Sequence, residues 1–159
     1  MINRRFLVAG LGALAATRIA RVPLGGHMEI KLARLDDAEI LYNWRNDSLT
    51  RAMSKSSSEV SWTDHLDWLK ERLSRGAPNI FIARIGEEPV GTFRIDDGKI
   101  SYTVSPGHRG NGVGAAMLFL AREMVGSLIA EIYENNIASI KIATRAGLEV
   151  RLLSVKTHA

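Results

Sequence analysis

The chain has 159 residues, a formal net charge of +4, 46% hydrophobic and 24% charged residues, and no cysteine. That length suits one domain with a real core. The missing cysteines exclude disulfides, thiolate nucleophiles and cysteine-based zinc sites, and His27, His65, His108 and His158 show no metal-ligand spacing, so no metal is expected. The basic excess sits largely in the first 27 residues, where Arg4, Arg5, Arg18 and Arg21 have no acidic neighbour, so it is poor ground for expecting nucleic-acid binding.

Residues 1–27 differ in character from the remainder of the chain. A basic start, Arg4-Arg5, precedes a small-residue apolar run from Phe6 to Ala16, a pattern like a secretory signal of twin-arginine type but without its usual spacer. Arg18 to Gly26 reads as a basic linker. Met28 to Leu35 is a first strand. Asp36 is placed to cap a helix reaching about Asn46, with Ala38, Leu41 and Trp44 inward. The run Ser54 to Ser58 reads as a mobile loop. Ser61 and Asp64 form a capping pair for a helix over Trp62 to Leu73, striped by Trp62, Leu66, Leu69 and Leu73, with His65 and Trp68 on a neighbouring edge.

Asn79 to Ile85 and Pro89 to Ile95 are strands joined by a turn at Gly86-Glu87-Glu88. Asp96-Asp97-Gly98 is a hairpin turn leading into the alternating strand Lys99 to Val104. Then comes Val-Ser-Pro-Gly-His-Arg-Gly-Asn-Gly-Val-Gly, Val104 to Gly114. A helix comes next, striped by Val113, Ala116, Met117, Leu120, Ala121 and Met124. Ser127 to Ile132 is a strand. Asn136 caps a short helix, Ile137 to Ala146, that stops at Gly147, and Leu148 to Val155 is the last strand.

The strand, glycine-rich turn and helix N-terminus form a site for a phosphate or pyrophosphate. Helix N-terminal N–H groups lack intrahelical partners, glycines allow close approach, and Arg109 adds positive charge. A nucleoside-triphosphate loop would need Lys and Ser or Thr after the last glycine, which are absent; a dinucleotide turn would need Gly-x-Gly-x-x-Gly, which is matched only weakly, with Ala115 in the third-glycine position. The order Arg-x-x-Gly-x-Gly (Arg109, Gly112, Gly114) after Val-x-Pro (Val104, Pro106) resembles the GNAT superfamily of N-acetyltransferases. The likeness covers nearly all of Met28 to Val155. It implies an α/β fold with a mixed, splayed sheet flanked by helices, in the order β-α-α-β-β-β-α-β-α-β.

The resemblance implies acetyl-coenzyme A as cosubstrate. Arg109, Gly110, Asn111, Gly112, Val113 and Gly114 would hold its pyrophosphate, and the backbone of Tyr102 to Val104 would pair with its pantetheine arm. Asn136 and Ser139 would touch the pantetheine or a neighbouring phosphate; a plain N-cap role for Asn136 is compatible with this. Many family members place a tyrosine, general acid to the thiolate, seven residues after this asparagine, where this chain has Ala143. Tyr133 and Tyr102 are substitutes. Glu131, or Glu134 after it, is placed to act as base, against the alternative that both are solvent-facing carboxylates.

Trp44-Arg45-Asn46-Asp47, Arg51 and His65-Leu66-Asp67-Trp68 are similar to the pseudaminic-acid type of acetyltransferase, which acts on the 4-amino group of a UDP-linked deoxy sugar. On that likeness Arg45 meets the diphosphate, and His65 and Trp68 line the pocket. The tryptophans also suit a plain core. Acetyltransferases of ribosomal-protein N-termini share a related pattern, and a non-catalytic acyl-coenzyme A-binding module is a further alternative. The expected partner is a small amine rather than nucleic acid or membrane, with monomer and homodimer both open. Acetyl-coenzyme A is cytosolic, which favours a cytoplasmic domain over 28–159 and makes residues 1–27 an extension or mis-assigned start, dispensable for activity, rather than a working signal.

Overall fold

The computed structural model of the chain describes residues 18–21, 26–75 and 79–155. Among these, seven strands form one sheet in sequence order: β1 (Arg18–Arg21), β2 (His27–Leu32), β3 (Ile80–Ile85), β4 (Glu88–Asp96), β5 (Lys99–Val104), β6 (Ile129–Tyr133) and β7 (Glu149–Leu153). The helices are α1 (Ala38–Asn46), α2 (Ser48–Ala52), α3 (Trp62–Ser74), α4 (Val113–Val125) and α5 (Ile137–Arg145).

Strand β3 begins Ile-Phe-Ile-Ala without alternation because helices cover both of its faces. Phe81 and Ala83 enter a core with α4 and α5, beside Met28, Val90, Phe93, Met117 and Leu118. Ile80 and Ile82 enter a second core on the opposite face, with Ala38, Leu41 and Trp44 of α1 and Leu69 of α3. Leu69 is fully buried, which contributes roughly 1.5–3 kcal/mol.

Neighbouring strands from β1 to β5 are antiparallel. Asp97 and Gly98 turn the β4–β5 hairpin with φ of 49° and 78°, the left-handed pair that a two-residue turn requires. β5 and β6 run parallel and pair only at Lys99↔Ile129. Beyond that pair they part. β6 and β7 stay paired from Ile129↔Glu149 to Tyr133↔Leu153. The mixed, splayed sheet expected from the sequence is therefore present, with a V-shaped opening between β5 and β6.

Several local expectations change. Arg18–Arg21 is an edge strand paired with β2, not linker; the signal-like run lies outside the described residues. Asp37, not Asp36, stands at the α1 N-cap, and its carboxylate accepts from the Arg34 N–H at 2.8 Å and from Arg84 Nη2 at 2.9 Å. An additional short helix, α2, follows α1, with the Asp47 carboxylate accepting from the Thr50 N–H at 3.0 Å. On α3 the Ser61 hydroxyl caps the Asp64 N–H as expected, at 3.1 Å. Its buried positions are His65 and Leu69, while Trp62 is 43% exposed. The sixth strand begins at Ile129 rather than Ser127.

Candidate active site

Two features at the end of β5 would suit a phosphate. Gly110 and Gly112 have φ of 78° and 76°, a conformation that side chains with a Cβ rarely adopt. Gly112 stands at the N-cap of α4, and no side chain caps that helix end. Its first-turn N–H groups thus remain for an anion. Gly114 lets α4 approach closely: a Cβ there would lie 3.1 Å from both Val104 Cγ2 and Ile142 Cδ1. Arg109 turns away from this loop toward the α1–α2 junction. Its Nη2 lies 2.6 Å from Asp47 Oδ2 and 3.1 Å from Thr50 Oγ1.

Next to the V lies a cavity of about 640 Å³. Trp44, Arg45, Thr50 and Lys55 form one wall. Tyr102, Thr103, Glu131 and Tyr133, from the parted strands, form another. His65, Trp68 and Arg94 line it from α3 and β4, and Asn136 and Ser139 at the start of α5.

The serine segment beside the cavity is braced, contrary to a mobile loop. Arg45 Nη2 donates to the Ser56 carbonyl at 3.1 Å and Arg51 Nη1 to the Ser57 carbonyl at 3.3 Å. Asn46 and Val60 exchange two hydrogen bonds of 2.9 Å each. Lys55 reaches across to Glu131 at 3.4 Å. One group is left over: Arg45 Nη1 is shut off from solvent and has no hydrogen-bond partner among the described residues.

Charge and burial assign protonation states. Lys99 Nζ at 2.6 Å, with Lys55 behind it, holds the Glu131 carboxyl below its ordinary range. An ionised carboxylate with two ammonium partners is a weak base, and this counts against the direct base role expected of Glu131. Burial pushes His65 down, so its ring is neutral; Nε2–H donates to the Ala38 carbonyl at 2.8 Å and leaves Nδ1 as the acceptor. Burial pushes the Tyr102 phenol up, and it donates to the Ser139 carbonyl at 3.0 Å. Asn136 Oδ1 accepts from the Ser139 N–H at 3.2 Å, the plain cap role.

The sequence-predicted residues fall into two groups. Arg45, His65, Trp68, Tyr102, Glu131, Tyr133, Asn136 and Ser139 line one cavity. Val104 and the loop from Arg109 to Gly114 lie outside its lining, at the far end of β5. Trp68 lies beside the guanidinium groups of Arg72 and Arg94, 5.8 and 5.7 Å from its ring centre, and His65 packs at 5.9 Å. Sequence reasoning named Asp47 only as part of the acceptor-side pattern and missed Thr50, Lys55 and Arg94. Asp47-Ser-Leu-Thr50 carried a capping signal, and Arg94 a polar position in an otherwise apolar strand. Nothing local marked Lys55. Among the described residues no group of three or more His, Asp or Glu side chains could hold a metal ion.

Residues 27–149 match the family model described as Acetyltransferase (GNAT) domain. No curated protein matches the chain. Similar solved structures include the aminoglycoside acetyltransferase AAC(6')-Ib in complex with coenzyme A and kanamycin, at 19% identity and TM-score 0.63, covering 76% of this chain and 83% of that one. Another is yncA, a putative acetyltransferase from Salmonella typhimurium with its cofactor acetyl-CoA, at 25% identity and TM-score 0.57, with coverage of 76% and 78%. A third is the ribosomal-protein-alanine N-acetyltransferase from Brucella melitensis, at 27% identity and TM-score 0.59, with coverage of 74% and 82%.

Proposed function

The chain belongs to the GNAT acetyltransferase family, and on that premise we propose that it transfers the acetyl group of acetyl-coenzyme A to the 4-amino group of a nucleotide-linked deoxy amino sugar, in the cytoplasm. The observation that carries the acceptor reading is Arg45. Arg45 lines the cavity, and its buried Nη1 has no hydrogen-bond partner among the described residues; a buried donor left unmade costs about 1–3 kcal/mol. A diphosphate oxygen is the acceptor that a guanidinium takes best. The charge of the cavity agrees: Arg45, Lys55 and Arg94 stand against Glu131 among its lining residues. That balance suits an anionic acceptor and repels a polycation such as an aminoglycoside.

The residues present fit the coenzyme. The uncapped N-terminus of α4 and the left-handed glycines before it suit a pyrophosphate. The parted edges of β5 and β6 suit an extended arm that pairs as a strand. Bound there, acetyl-coenzyme A supplies a thioester carbonyl for attack by a neutral amine. Arg45 orients the acceptor. Glu131, already ionised by its lysines, holds an approaching ammonium in place of Lys55 rather than removing its proton. The neutral Nδ1 of His65 is a proton acceptor in the same wall. Much of the rate comes from holding amine and carbonyl in register.

The test is thiol release from acetyl-coenzyme A with UDP-linked 4-amino sugars, N-terminal peptides and aminoglycosides as acceptors. Selective turnover of the UDP-sugar is expected. Arg45→Ala should raise its KM by about ten- to a hundredfold, the loss of a charge-assisted bond, with coenzyme binding unchanged. Selective turnover of peptides would replace this reading with acetylation of a protein N-terminus, which the 27% identity to the Brucella melitensis enzyme favours.

A further inference from the structure

Arg109 follows the short turn Pro106–His108 and precedes the left-handed Gly110, so its backbone belongs to the glycine-rich loop. Its side chain does not. Nη2 reaches Asp47 Oδ2 at 2.6 Å and Thr50 Oγ1 at 3.1 Å, residues 62 and 59 positions away in sequence. The same Asp47 oxygen accepts from the Thr50 N–H at 3.0 Å and from Thr50 Oγ1 at 3.2 Å. The Thr50 carbonyl in turn accepts from the Ser54 hydroxyl at 2.6 Å. Thr50 and Ser54 both line the cavity. A continuous run of hydrogen bonds therefore leads from the loop to the cavity wall. Among the described residues no other hydrogen bond joins residues 109–114 to residues 44–60.

Two uses of Arg109 compete: it leaves Asp47 for a pyrophosphate, or it stays and holds the wall. Leaving would strip the counter-charge from a carboxylate that is only 20% exposed, an unfavourable state. The loop has less need of a guanidinium, because the uncapped N–H groups at the start of α4 already suit an anion. We infer that Arg109 is a positioning residue that stays on Asp47 and Thr50, so that occupancy of the glycine-rich loop tightens the acceptor wall. The inference rests on the reading of that loop as the coenzyme site and needs no particular acceptor. The balance is between a closed pair with the wall docked and an open pair with the wall loose. A ligand shifts such a balance only by binding one arrangement better. An anion on the loop's N–H groups fixes the backbone that carries Arg109, and this favours the closed pair. By linkage, a docked wall favours the anion by the same factor. The acceptor then meets its finished wall once coenzyme is bound.

The test follows the wall itself rather than turnover. Hydrogen exchange at the amides of Thr50 to Ser54 is measured on the full chain with and without saturating coenzyme A. In wild type, coenzyme A should slow that exchange by about fivefold or more. In Arg109→Met, coenzyme A should still bind at saturation and the slowing should vanish; Arg109→Lys, which keeps the charge, should restore part of it. A double-mutant cycle on coenzyme affinity separates the two uses of Arg109. Arg109→Met and Asp47→Asn should each weaken affinity several-fold, and the double variant no further. If Asp47→Asn leaves affinity unchanged or tighter, while Arg109→Met loses as much in either background, Arg109 is a phosphate ligand and the inference is overturned. Slowing that survives Arg109→Met overturns it as well. If Arg109→Met does not fold, Asp47→Asn carries both measurements, since it breaks the same pair and keeps a capping side chain. Coenzyme binding by wild type without slowing at Thr50 to Ser54 sinks this inference alone. Failure of the wild type to bind coenzyme A sinks the acetyltransferase reading and this inference with it.

Discussion

The loop proposed to hold the coenzyme and the wall proposed to hold the acceptor are built by different means. From Gly110 to Gly114 the site is made of backbone: two left-handed glycines, an uncapped helix start, and a third glycine packed on Val104 and Ile142. Across the V, from Arg45 to Val60, it is made of side chains holding carbonyls: Arg45 on Ser56, Arg51 on Ser57, Asn46 on Val60. The first kind tolerates few residue types, because only glycine adopts those angles freely. The second depends on partners brought together by the fold. One ion pair, Arg109 with Asp47, joins the two.

Breaking the backbone-built side should have the largest effect. Gly112→Val places a β-branched residue at a φ of 76° and costs on the order of 1–3 kcal/mol locally. Coenzyme affinity should fall by roughly ten- to a hundredfold, read by calorimetry, with the chain still folded. Unchanged affinity would mean that this loop does not hold the coenzyme.

The link between the sides comes next. Asp47→Asn keeps a capping side chain for α2 but removes the charge facing Arg109. Both coenzyme affinity and acceptor KM should worsen by several-fold, about 1 kcal/mol each, where a change in one alone would deny the coupling. Its pH signature comes from the Arg109 bond, which holds the Asp47 carboxyl below its ordinary 3.8. Stability from this pair is complete above that value and is lost as pH falls through the lower folded pKa. The acid-unfolding midpoint should therefore lie at higher pH in the variant.

Smaller still is Arg51→Met, which removes one brace of the serine segment. It should raise acceptor KM a few-fold, about 0.5–1.5 kcal/mol, and leave coenzyme affinity alone. Equal losses on both sides would make the segment part of the whole fold rather than of the acceptor wall. The mildest prediction concerns His65. Burial lowers its pKa from 6.5, so the folded state binds fewer protons than the unfolded chain below that pH. The urea midpoint should decline from pH 6.5 downward until the folded pKa is passed, and His65→Gln should flatten that limb.

The legible parts share a physical cause. The hairpin turn at Asp97-Gly98, the caps at Ser61 and Asn136, and the stop at Gly147 are local chemistry, and each stands where the sequence puts it. The strand expected over Asn79 to Ile85 is present as β3, covered on both faces and so without a polar side. What escaped was tertiary. Lys55 meets Glu131, 76 residues away, and no periodicity encodes that pairing. The mobile reading of the serine run failed because composition says nothing of the two side chains, Arg45 and Arg51, that hold its carbonyls. α2 was missed because five residues carry too little pattern to stand out from a loop.

The parting of β5 and β6 after a single paired position leaves two strand edges inside the sheet. Such edges are unfinished templates that accept any extended chain, including a neighbouring molecule's. A coenzyme arm laid between them would act as a removable strand and would stabilise the fold when bound. At a hundredfold excess over Kd, mass action alone adds about 2.7 kcal/mol to folding. Hydrogen exchange at the amides of Tyr102 to Val104 and Glu131 to Tyr133 should slow when coenzyme is present.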